Sequence, residues 1–112
     1  MFIHEKLICY QKSIWVLKEI NESLCKSMPR GNSFLSDQLR RAMISAILNL
    51  SEGNAKKSKA DRKRFFDISL GSISEVSSCL DILTSISLLS VSKNFSLKSE
   101  LKTIYSMIFK LS

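Results

Sequence analysis

The sequence is poor in the residues that turn a chain sharply, with three glycines and one proline in 112 residues. An all-β domain needs turn residues at short, regular intervals, so that class is excluded. There is one histidine, His4, and it stands near the N-terminus, where it reads as a surface residue. Without a second histidine, or a clustering of Cys with His or of two aspartates, a zinc site or a catalytic triad lacks parts. Glu-x-x-His pairs of the di-iron bundles are missing, as are glycine-rich phosphate or dinucleotide loops. The three cysteines (Cys9, Cys25, Cys79) are widely spaced, form no CxxC and lie in or beside apolar stripes. They read as small buried hydrophobes in a reducing compartment. The longest uncharged stretch, near 82–92, is too serine-rich for a membrane span. His4, Glu5 and Lys6 interrupt the apolar N-terminus, so no secretory leader is expected. The expectation is a cytoplasmic protein, away from membranes and without a cofactor.

What the chain does have is apolar residues, 45% of the total, enough for a genuine core in one domain spanning residues 1–112. They fall into four helical stripes. Over roughly 4–27, Leu7, Tyr10, Ile14, Leu17 and Leu24 share one face, and Pro29, Gly31 and Asn32 then mark a loop. Ser36 is read as the N-cap of a second helix, with Asp37 in its first turn and Leu39, Met43, Ala46 and Leu50 as its stripe. Ile44, Ile47 and Leu48 widen that apolar surface, and Gly53-Asn54 is its stop. Ser58-Lys-Ala-Asp61 is a capping box opening a third helix over about 59–89. Phe66, Leu70, Ile73, Val76, Leu80 and Leu83 mark its inner face. Gly71 lies within it at a cost of about 1 kcal/mol relative to Ala. Close helix approach is the expected compensation, helped by the small Ser69 and Ser72. Ser96 is read as the cap of a fourth helix carrying Leu97, Leu101, Ile104, Ile108 and Leu111. Four stripes with short connections predict an all-α, antiparallel up-down-up-down four-helix bundle.

The charge is unevenly placed. Between Arg40 and Arg64 there are eight lysines and arginines against two acids, Glu52 and Asp61, while the whole chain carries +7. The surplus flanks one turn, around 54–64, and reads as a patch that neutralises phosphates without reading bases. Lys56, Lys57, Lys59, Arg62 and Lys63 are the expected contacts, with Arg40 as a further candidate. Arg41 and Arg64 are assigned to structural pairing with acids such as Glu52 and Glu75, with another neighbouring cation as the alternative for Glu52. Asn49 is expected to satisfy backbone across helices. Asp61, Asp67 and Glu75 are the carboxylates available to a metal-dependent nuclease. Capping accounts for Asp61 and an outer helix face for Asp67, so a non-enzymatic protein is favoured.

The stretch from Gln38 to Glu75 resembles the four-helix bundle family of the 23S ribosomal RNA intervening-sequence proteins. The matching features are Gln38-Leu-Arg-Arg41-Ala42, Ser45, Asn49, Glu52-Gly53, the basic residues after the turn, Arg64-Phe65, and Gly71-Ser72 with Glu75. Trp15, the Pro29 loop and the position of the fourth helix also agree. Where family members often carry proline in the second helix this chain has Ile47, so a straighter helix is expected, and Leu48 replaces a small residue. The resemblance implies a ring-shaped homopentamer and favours RNA over DNA as the bound polyanion. It also links the chain to accessory proteins of diversity-generating retroelements, so the alternative is a module docking an acidic partner such as a reverse transcriptase or polymerase subunit. The family offers no catalytic residues to carry over.

Overall fold

The computed structural model describes residues 2–112, position 6 by its backbone alone. Four helices form the bundle: α1 (Ile8–Ile20), α2 (Ser33–Ala55), α3 (Lys59–Ser85) and α4 (Val91–Leu111). Among the described residues there is no strand. Each helix packs on its neighbours in chain order, α4 closes against α1, and α2 and α3 share the most extensive contact. The result is an elongated body of 44 × 24 × 22 Å.

The stripes of α2, α3 and α4 fall where the periodicity puts them. Leu39, Met43, Leu50, Phe66, Leu80, Leu83, Ile104 and Ile108 are fully buried, and each such side chain contributes about 1.5–3 kcal/mol relative to exposure. The α1 stripe is rotated. Cys9, Ser13, Val16, Ile20 and Leu24 face the core, and Ile14 is 42% exposed. Ser13 hid this face, because a hydroxyl counts as polar in a sequence. In place it donates to the Cys9 carbonyl at 2.6 Å and is satisfied. Leu7, in extended conformation, separates α1 from a short 3₁₀ turn at Ile3–Lys6. A wider π-type turn at Asn21–Cys25 continues the helix at its other end.

The helix ends depart from the sequence reading for identifiable reasons. A 3₁₀ turn, Arg30–Asn32, leads directly into α2, so that helix starts at Ser33 and Ser36 sits inside it, bonded to the Ser33 carbonyl at 2.9 Å. The helix runs unbroken past Ile47 and through Gly53 to Ala55. The end of α3 comes at Ser85 because a Schellman closure forms there. The Leu88 N–H reaches the Leu83 carbonyl at 2.9 Å and the Ser87 N–H reaches Thr84 at 3.1 Å. Ser87 takes the left-handed conformation (φ 64°) that glycine usually supplies. That closure leaves Ser90, not Ser96, as the cap of α4, its Oγ accepting from the Lys93 N–H at 3.0 Å.

Candidate nucleic-acid interface

The basic residues gather where α2 hands over to α3. The connection is short, residues 56–58, and both of its edges are tied. On the α3 side the Ser58 Oγ accepts the Asp61 N–H at 3.1 Å, the cap that the Ser-x-x-Asp spacing predicts. On the α2 side the freed carbonyls are met by a cation. Arg62 Nη1 donates to the Asn54 carbonyl at 3.1 Å and to the Lys56 carbonyl at 3.4 Å. Half-buried, Arg62 also lies 5.3 Å from the centre of the Phe66 ring. It therefore acts as a clamp on the turn, with its donors turned inward, whereas the sequence had placed it among the outward contacts.

Phe65 and Phe66 organise the remaining charge. Lys56 and Arg64 lie 5.2 and 4.7 Å from the centre of the Phe65 ring, within cation–π range. Phe66 is buried beneath Gly53. A Cβ at Gly53 would come within 2.8 Å of two Phe66 ring carbons and 3.1 Å of Phe65 Cβ. Gly53 is thus the close-approach glycine of the α2–α3 pair. Gly71, assigned that role from the sequence, faces open space. The slim contact further along the pair is serine-based instead. Ser45 and Ser72 share a hydrogen bond at 2.9 Å, and buried Ser69 donates to the Ala46 carbonyl at 2.7 Å.

The outward surface of the turn carries Lys57, Lys59, Lys63 and Arg64, all exposed. Lys63 meets Asp67 at 2.6 Å and Lys56 meets Glu52 at 3.5 Å. Both pairs are solvent-exposed and contribute little to stability. Among the described residues Lys57, Lys59 and Arg64 have no acid partner. Arg40 belongs elsewhere. It lies sixteen residues before Lys56, about 24 Å along the helix, and bonds Asn21 Oδ1 at 3.2 Å and Asp37 at 3.0 Å.

The expected polar pairings are partly rearranged. Arg41 is exposed, and eleven residues of helix hold it about 16 Å from Glu52; Glu52 takes Lys56 instead. The same separation keeps Arg64 from Glu75, whose carboxylate accepts from Gln38 of α2. Asn49 bonds within its own helix, to the Ser45 carbonyl at 2.8 Å and hydroxyl at 3.2 Å. The Arg62 clamp and the cation–Phe65 stack went unread in the sequence. The available signal was Phe65-Phe66 directly after the Arg62-Lys63-Arg64 run.

Other chemistry is sparse. Among the described residues no three His, Cys, Asp or Glu side chains group closely enough to hold a metal ion. Burial pushes the thiols of Cys9, Cys25 and Cys79 up from their ordinary value, opposite to what a reactive cysteine needs. Among the described residues no helix is long and apolar enough to cross a membrane.

A crystal structure of a protein of unknown function from the S23 ribosomal protein family of Bacteroides thetaiotaomicron superposes with a TM-score of 0.83. It is 19% identical, and the match covers 93% of this chain and 94% of that one. No curated protein matches the chain. At that identity the neighbour shows the shared fold. The sequence itself carries the relationship further: the family model of the 23S rRNA-intervening sequence proteins matches residues 5–110, and the chain belongs to that family.

Proposed function

We propose that this protein is a non-enzymatic, oligomeric binder of structured RNA, which it grips by its phosphates at the α2–α3 turn. The observation that carries the reading is the set of exposed, acid-free cations Lys57, Lys59 and Arg64 on one rigidly closed turn, with Lys56 and Lys63 beside them in weak surface pairs. A fixed cluster of cations attracts a phosphate backbone without selecting its bases. RNA is preferred to DNA because the family is named for intervening sequences of 23S rRNA.

Self-association is part of the proposal. Ile44 and Leu48 project from α2 beyond its core stripe, Leu48 with 58% of its surface exposed, and Ile68 of α3 is exposed too. Apolar surface of this kind favours association, and a ring of five copies would multiply the +7 of each chain. Light scattering that returns the monomer mass refutes this part.

A salt titration tests the binding. Changing Lys56, Lys57 and Lys59 to Ala is expected to weaken structured RNA and to lower the slope of log K against log salt by about 0.9 per lost duplex contact. Unchanged affinity and slope sink the proposed contact surface. If the pure protein binds RNA only once an acidic protein partner is added, the surface is a protein-docking site instead. Magnesium-dependent RNA cleavage by the pure protein would overturn its non-enzymatic character.

A further inference from the structure

We propose that the groove between α3 and α4 is a second nucleic-acid site, one that takes an unpaired strand by stacking its bases on Tyr105 and Phe109. The class of ligand rests on the reading of the turn; the site is separate from it. The groove has a volume of about 440 Å³, within the range of small-ligand sites. Buried Ile73 and Leu101 form its floor. Ser74 and Ser77 line the α3 side, while Lys98, Lys102 and Tyr105 line the α4 side. No carboxylate lines it. Asp81 is the acid that reaches Lys98, and Lys102 remains as the exposed ammonium on the wall.

Lys98, Lys102, Tyr105 and Phe109 recur at intervals of four, three and four, so they run along one face of α4. A neighbouring hollow shares Tyr105 and Ser106 and continues to Phe109 and Lys110. Neither ring serves the core, which Ile104 and Ile108 already fill; Tyr105 is 38% exposed and Phe109 64%. Exposed aromatic rings beside ammonium groups are what non-specific single-strand binders present, with rings for the bases and cations for the backbone. The seryl hydroxyls add donors and acceptors for phosphate or base edges. A duplex, whose base faces are already stacked, offers nothing to these rings.

The position of the groove supports the same ligand. Asp81, near the end of α3, meets Asn94 and Lys98, near the start of α4, so the two helices are antiparallel. The Phe109–Lys110 end of the groove therefore lies toward the start of α3, where the basic turn is. A structured RNA held at the turn can run its unpaired end into the groove.

Fluorescence anisotropy on the full chain tests this, using an unpaired RNA of about twelve nucleotides and a duplex of the same length. Tyr105→Ala is expected to weaken the unpaired strand about tenfold, the size of one lost base–ring stack, and to leave the duplex within about twofold. Tyr105→Phe keeps the ring and binds like the unchanged protein. Lys102→Gln lowers the salt slope for the unpaired strand by about 0.7 and keeps the test alive if Tyr105→Ala does not fold. Lys57→Ala with Lys59→Ala weakens both ligands. If that pair changes nothing while the groove variants lose the unpaired strand, the turn reading fails and the groove stands. Unchanged binding of the unpaired strand by both Tyr105→Ala and Lys102→Gln overturns the groove site, as does equal loss with Tyr105→Phe.

Discussion

Replacing Gly53 by Ala puts a single carbon into a close approach of α2 and α3. Its Cβ would meet Phe66 Cδ1 and Cε1 at 2.8 Å and Phe65 Cβ at 3.1 Å, where carbon atoms prefer about 3.5–4.0 Å. Phe66 is fully buried, so ring and helix must shift by about 0.7 Å or more. Overpacking of this kind costs about 1–3 kcal/mol. Ala in place of Gly within a helix returns about 1 kcal/mol. The net expectation is a loss of about 1 kcal/mol, a fall in Tm of about 4 °C for a chain of 112 residues. Gly71→Ala is the control, since its Cβ meets nothing within 4 Å and only the helix gain of about 1 kcal/mol remains. Thermal and urea unfolding followed by far-UV circular dichroism, at one fixed protein concentration, compares the two. Phe66→Leu introduced beside Gly53→Ala should recover part of the loss as a coupling above about 0.5 kcal/mol. Gly53→Ala raising stability as much as Gly71→Ala does would refute the close approach.

The start of α4 can be checked in the same assay: Ser90→Ala should cost about 1 kcal/mol through loss of the cap on Lys93. Ser96→Ala, at an exposed site inside the helix, should be neutral or gain about 0.5 kcal/mol. Asp81 supplies a pH test. Hydrogen bonding from Lys98, and then from Asn94, holds its carboxyl below the ordinary value. A carboxylate depressed by folding stabilises above its unfolded pKa, and that contribution disappears as pH falls through its folded pKa. Urea midpoints measured from neutrality into the acid should therefore flatten in Asp81→Asn, and an unaltered pH profile would count against the Lys98–Asp81 contact.

The architecture was legible because three of the four helices carry their core residues in one uninterrupted stripe. Phe66 through Leu83 on α3 and Leu97 through Ile108 on α4 needed only spacing to be placed. α1 was misread where Ser13 enters the core, since its satisfaction by the Cys9 carbonyl depends on backbone geometry. The candidate site divided along the same line. The position of the charge, near one turn, follows from order along the chain. Which cations face outward does not, because Arg62 is drawn inward by carbonyls freed at a helix end, and Phe65 holds Lys56 and Arg64 by its ring face.

The sequence by itself therefore determined the helical class, the bundle and the concentration of positive charge, all consequences of local periodicity and composition. Tertiary structure decided which glycine lies at the close approach of α2 and α3 and which cations remain free. Those depend on distances between groups far apart in the chain, such as Gly53 to Phe66 and Ser74 to Tyr105. Only packing of one helix against another fixes such distances, and the pattern along a single helix does not encode them.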